Sequence, residues 1–162
     1  FVGYEEDAPV EKQIQNLFKK NNITLAIAES CTGGEIASRL TKIPGSSDYF
    51  LGSITAYNSS VKKEILGVDE QLIKTHSVVS KEVSKEMALK VREKFSSTYG
   101  VSTTGTAGPS LGGSKEKIGT VYITVSNEDK IITEKFNFGN HRERIILKTV
   151  NKVFEMLINI IQ

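Results

Sequence analysis

Apolar side chains return at helical spacing through Val10, Ile14, Leu17 and Phe18, which predicts an amphipathic helix over about residues 9–20 with Pro9 in its first turn. The period then changes. Ile23 to Ala28 is a short apolar run after Asn21-Asn22 and reads as a buried strand. It leads into "ESCTGG" and then "EIASRLTK", a strand-loop-helix unit whose loop is where α/β proteins put ligands. "LGSITAYN" predicts a second strand and "SSVKKEIL" the start of another helix. Ser80 and Glu82 are the opening residues of a helix whose stripe is Val83, Met87, Val91 and Phe95.

"YGVSTTG" has the composition of a further buried strand, followed by a polar, glycine-rich loop from Gly105 to Ile118. "GTVYITVS" and "KIITEKFNF" form an antiparallel pair joined through the turn residues "NEDK". Ile146, Val150, Val153, Phe154, Leu157 and Ile161 mark a long closing helix. Alternating strands and helices that end in a hairpin and a helix predict an α/β fold, a mixed sheet with helices on both faces.

With 162 residues the chain has the length of one domain. The 21 basic and 19 acidic residues leave a formal charge of +2, too little to direct binding to nucleic acid or a membrane surface. The single cysteine, Cys31, excludes an internal disulfide, and His76 and His141 stand too far apart in sequence to suggest a zinc cluster. A cytoplasmic protein without a metal is expected, with no apolar run of membrane-spanning length. Compact α/β enzymes of this size often pair, so a homo-oligomer is expected.

Three stretches carry candidate chemistry. In "AESCTGG", Gly33 and Gly34 precede a helix and let backbone amides approach an anion, with Ser30 and Thr32 as hydroxyl donors; the alternative is a plain helix entry. Cys31 reads as a buried, inert thiol, because a cysteine nucleophile needs a histidine base. "TGTAGPSLGGSKEKIG" is not a phosphate loop, since Ser114 separates Gly113 from Lys115, but Gly105 and Gly108 can form a turn with Thr104 and Thr106 as donors. The third stretch, "IPGSSDYFLGSITAYNSSVKKEILG", places serines around two adjacent lysines. A serine becomes nucleophilic when a lysine of lowered pKa takes its proton. Ser59 with Lys62, Ser60 with Lys63, and Ser46 or Ser47 with a lysine of the following helix all remain open on spacing alone.

Taken together, "AESCTGG", "IPGSSDYFLGSITAYNSSVKKEILGV", "VSKEVSKEMA" and "VSTTGTAGPSLGGSKEKIGTVYI", in this order, resemble the CinA C-terminal domain family of nicotinamide-nucleotide amidohydrolases. The resemblance implies a three-layer α/β/α sandwich with a mixed, mostly parallel sheet over residues 9–162. It also implies a metal-independent and cofactor-independent hydrolysis of nicotinamide mononucleotide to nicotinic acid mononucleotide and ammonia. It places the nucleophile on Ser47, the base on Lys62 and an assisting hydroxyl on Tyr57. Ser30, Thr32, Gly33, Gly34, Gly105, Thr106 and Arg142 are implied to bind the substrate. Family members tend to carry a second arginine about four residues after the first, where Ile146 stands here. That departure motivates a second reading, a pyridine-nucleotide-binding or assembly module without turnover. Residues 1–8 resemble the stretch that joins this domain to a preceding one.

Overall fold

Large and small apolar residues alternate along the strand β1 (Leu25–Glu29), and two layers of helix follow from that alternation. The computed structural model describes residues 8–162. Leu25 and Ile27 join a core with α1 (Val10–Lys20), α2 (Glu35–Thr41) and α6 (Arg142–Ile161). Ala26 and Ala28 face the other way, toward Val83, Met87 and Val91 of α5 (Lys81–Phe95). On that second face the small residues let a helix lie directly on the sheet. A Cβ built on Gly100 would stand 2.3 Å from the Ala88 carbonyl oxygen of α5.

The sheet has five strands in the order β2-β1-β3-β4-β5, with β2 at Phe50–Thr55, β3 at Tyr99–Gly105, β4 at Thr120–Ser126 and β5 at Ile131–Asn137. β1 pairs in parallel with β2 and β3; β4 is antiparallel to both β3 and β5, so β4 alone runs against the rest. This is the mixed, mostly parallel three-layer α/β/α sandwich that the pattern and the resemblance predict. The order reverses at β1, whose neighbours come from later, separate crossovers, and the crevice at such a point lies outside the carboxyl ends of the strands.

Four local features differ from the sequence reading. The helix after β2 is one α turn, α3 (Ser59–Val61), continued as a π turn over Lys62–Leu66 and ended at Gly67, whose φ is +90°. A short helix, α4 (Glu70–His76), follows; the Asp69 side chain caps it by accepting from the Gln71 amide at 2.8 Å. The closing helix begins at Arg142, and its buried face starts at Ile145, leaving Ile146 only partly covered. Ser46–Asp48 forms a 3₁₀ turn ahead of β2. The expected junction over residues 1–8 lies, apart from Ala8, outside the described residues. Among those described, no helix is long and apolar enough to cross a membrane.

The contact between α5 and β3 is tight enough that adding one methyl group is expected to separate them. Gly100→Ala should lower stability by roughly 1–3 kcal/mol through overpacking, read as a fall in melting temperature.

Candidate active site

The three parallel strands end side by side, and the side chains just beyond their carboxyl ends share one cavity of about 190 Å³. Ser30 and Cys31 follow β1, Tyr57 and Lys62 follow β2, and Thr106 to Gly108 follow β3. Arg142, at the start of α6, closes the rim.

Lys62 is the centre of this cavity. The side chain is buried, and its Nζ lies 2.8 Å from Ser30 Oγ, 2.7 Å from the Ala56 carbonyl oxygen and 3.4 Å from that of Tyr57. Burial is the main cause that brings its amine down from 10.5 to about 8, since a charge removed from water is disfavoured; a Cys31 thiolate would act the other way. Lys63 turns outward and pairs with Glu70 at 3.5 Å, and Ser60 is occupied with Asn58. The choice between the adjacent lysines is therefore made by the turn: one faces the cavity, the other the solvent.

Ser30 is held by its own main chain. Its amide donates to the Thr103 carbonyl of β3 at 3.1 Å, and the Gly33 amide donates back to the Ser30 carbonyl. Just before it, the buried Glu29 carboxylate accepts the amides of Ile36 and Ala37 at 3.0 and 3.1 Å. This carboxylate replaces the cap that Gly34 lacks, with favourable charge at the helix start.

Ser47 lies apart from this cavity. It is exposed in the 3₁₀ turn before β2, beside the Asp48–Lys19 pair, and it does not line the cavity. Phe50 pairs with Leu25 at the amino end of β1, whereas Ser30 follows its carboxyl end. At about 3.3 Å per residue the sheet keeps the two serines roughly 15–20 Å apart. Thr32, Gly33 and Gly34, expected to bind the substrate, also stand outside the cavity lining. The Thr32 hydroxyl is 2.9 Å from that of Thr103, the helix start behind the glycines is filled by Glu29, and none of the three lines the cavity.

The other predicted residues do meet there. Gly105 and Thr106 line the cavity, with no room for a Cβ at Gly105, where Val121 and Cys31 crowd within 3.1 Å. The Thr106 hydroxyl donates to Ser114 Oγ at 2.8 Å. Ser59 lines the wall without bonding Lys62. The Tyr57 phenol accepts from Arg142 at 2.8 Å; Arg142 also donates to the Gly108 carbonyl. Cys31 sits beside Ser30, but burial pushes its thiol up to about 12, so it stays protonated. Val78 and Val79, outside any motif, and Ser110, Leu111 and Gly112, from the glycine-rich loop, also line the cavity and are not among the expected site residues.

The family model for the CinA C-terminal domain matches residues 7–161. The chain belongs to the CinA C-terminal domain family. A CinA-like protein of Flavobacterium psychrophilum is 42% identical over 156 residues, 96% of this chain and 37% of that protein. A putative competence-damage inducible protein of Caldanaerobacter subterraneus is 37% identical over 157 residues, 97% of this chain and 38% of that protein. The chain thus spans less than two fifths of these relatives. Among solved structures, competence/damage inducible protein CihA of Agrobacterium tumefaciens superposes with a TM-score of 0.90 at 31% identity, covering 98% of this chain and 95% of that one.

In this CinA-family domain the buried lysine carries a measurable signature. The unfolded chain binds its proton up to about 10.5 and the folded one only to about 8, so between these values folding releases a proton and stability rises with pH. Relative to Lys62→Met, the wild type should gain on the order of 3 kcal/mol between pH 7.5 and 10.5. Denaturant melts of both proteins across that range are the check.

Proposed function

We propose that this domain is a metal-independent amidohydrolase that converts nicotinamide mononucleotide to nicotinic acid mononucleotide and ammonia, with Ser30 as nucleophile and Lys62 as base. The observation that carries the reading is the 2.8 Å contact between the Ser30 hydroxyl and a buried amine of lowered pKa. A neutral lysine has two N–H bonds and one lone pair. In that neutral form, with the Ala56 and Tyr57 carbonyls taking the two N–H groups, the lone pair is left for the proton of Ser30, whose Oγ is 2.8 Å away. The substrate itself is carried over from the family resemblance.

Ser30 Oγ attacks the carboxamide carbon as its proton passes to Lys62 Nζ. The tetrahedral oxyanion is assigned to the backbone N–H groups of Ala107 and Gly108, which line the cavity in the turn after β3, since the Thr106 amide is spent on the Thr120 carbonyl. The C–N bond breaks as Lys62 returns the proton to the departing nitrogen, giving ammonia and an acyl-serine. Water then attacks the acyl carbon as Lys62 takes its proton, and the C–Oγ bond breaks as Lys62 returns that proton to Ser30 Oγ, releasing the acid. Tyr57 contributes its carbonyl to Lys62 and its phenol to Arg142, whose guanidinium at the rim is the cation available to the substrate phosphate.

The test is ammonia release from nicotinamide mononucleotide with a chelator present. Lys62→Ala is expected to lose roughly 10²–10⁴-fold in kcat and Ser30→Ala at least as much, while Ser47→Ala stays active. Because the neutral amine is the working form, kcat/KM should rise with pH through about 8 and level off above it. Ammonia release retained by Ser30→Ala would refute the assignment.

A further inference from the structure

We infer that Asn58 is the positioning residue of Lys62, the side chain that holds the short turn by which the amine is aimed at Ser30. The inference rests on the reading of Lys62 as the base. After β2 the chain presents the carbonyls of Ala56 and Tyr57 and then returns within one turn, so that Lys62 Nζ folds back onto both. Asn58 is the corner of that loop. Its Oδ1 accepts from the Ser60 amide and from the Ser60 hydroxyl, each at 2.9 Å, and its carbonyl accepts from the amides of Val61 at 3.0 Å and Lys62 at 3.2 Å.

The turn cannot hold itself. α3 has only three residues, and the bonding past it widens into the π turn, where the Lys62 carbonyl receives the Val68 amide at 2.8 Å. A single helical turn fixes several dihedrals for each bond gained, so the cap supplies what a longer helix takes from propagation. π turns of this kind are frequent at functional sites. Without the Asn58 side chain the Ser60 amide loses its partner, the turn frays at its start, and the amine drifts from its two carbonyls toward water. Asn58 is exposed, so replacing it removes nothing from the core.

The charged and titratable groups around Lys62 leave this cap as the distinctive local control. Cys31, Tyr57 and Arg142 share the cavity, with the Cys31 thiol protonated, Tyr57 bonded to Arg142 and Arg142 fixed on Gly108. Glu29 is spent on the start of α2. On the turn itself Lys63 pairs with Glu70 and Glu64 is exposed, while Lys90 on the facing α5 pairs with Glu86 and Glu93.

The experiment compares Asn58→Ala with Asn58→Ser, a substitution that keeps a strong cap. Asn58→Ala should lower kcat roughly tenfold or more with KM nearly unchanged, as expected for a misplaced base. Renewed hydration raises the amine toward its ordinary value, so the ascending limb of kcat/KM should move up by about one pH unit. Asn58→Ser should bring both back to within about threefold of the wild type. Competitive acetylation of Lys62 with acetic anhydride at several pH values, read by mass spectrometry, should show the same shift without any turnover. An Asn58→Ala protein with wild-type kcat and limb, or one whose loss is neither accompanied by the shift nor restored by serine, overturns the inference. An active Lys62→Ala protein would instead refute the base assignment itself, so the two failures are told apart.

Discussion

The Lys62 amine is buried with three oxygen atoms around it and, among the described residues, no carboxylate bonded to it, and the rest of the site is arranged to make that burial tolerable. A desolvated ammonium is costly, so the amine moves toward its neutral form, and a neutral amine beside a hydroxyl is a base. Its three oxygens come from two strand ends, Ser30 after β1 and the Ala56 and Tyr57 carbonyls after β2. The Ala56 amide in turn donates to the Glu29 carbonyl at 2.7 Å, tying the segment that holds the base to the one that holds the hydroxyl.

Adjacent residues in that segment meet different fates for the same physical reason. Ser30 and Cys31 are both buried at the cavity. The thiol is locked in its protonated form by desolvation, whereas the hydroxyl needs no free charge of its own once an amine is in contact with it. Glu29, one residue earlier, carries a charge into the interior and is compensated by two amides at the start of α2. Its carboxylate occupies a place that the glycines beside it would otherwise leave open to an anion. The Arg142 guanidinium at the opposite rim, bonded only to neutral oxygens, has its charge unmatched by those contacts.

The opposite wall shows stored strain. Ser77 takes φ +82° without being glycine, and its buried hydroxyl has no partner among the described residues. It is kept there by a bond from the Ser80 hydroxyl to the Ser77 carbonyl and by one from Thr104 to the Val78 carbonyl, which together turn Val78 and Val79 into the cavity. A backbone held in so sparsely populated a region is tolerated when its surroundings over-determine it.

Much of the architecture was legible before any coordinates. The period changes at Ile23, the runs at "YGVSTTG" and "GTVYITVS", and the closing stripe near Val150 all correspond to observed elements, because burial on one or both faces imposes its period on the sequence. Lys62 and Tyr57, expected to be catalytic, and Thr106 and Arg142, expected to bind the substrate, all line the one cavity. What the pattern could not convey was which end of a strand a loop residue occupies. Ser47 and Ser30 both lie in glycine-containing loops next to a strand, and only the parallel register of β1 and β2 puts one at the amino edge and the other at the carboxyl edge. The sequence by itself determined the elements, the layers and the residue types of the site, since these depend on local period and side-chain chemistry. The tertiary structure alone decided that Ser30 meets Lys62, because that contact joins residues far apart in the chain through the register of a sheet and the width of one π turn.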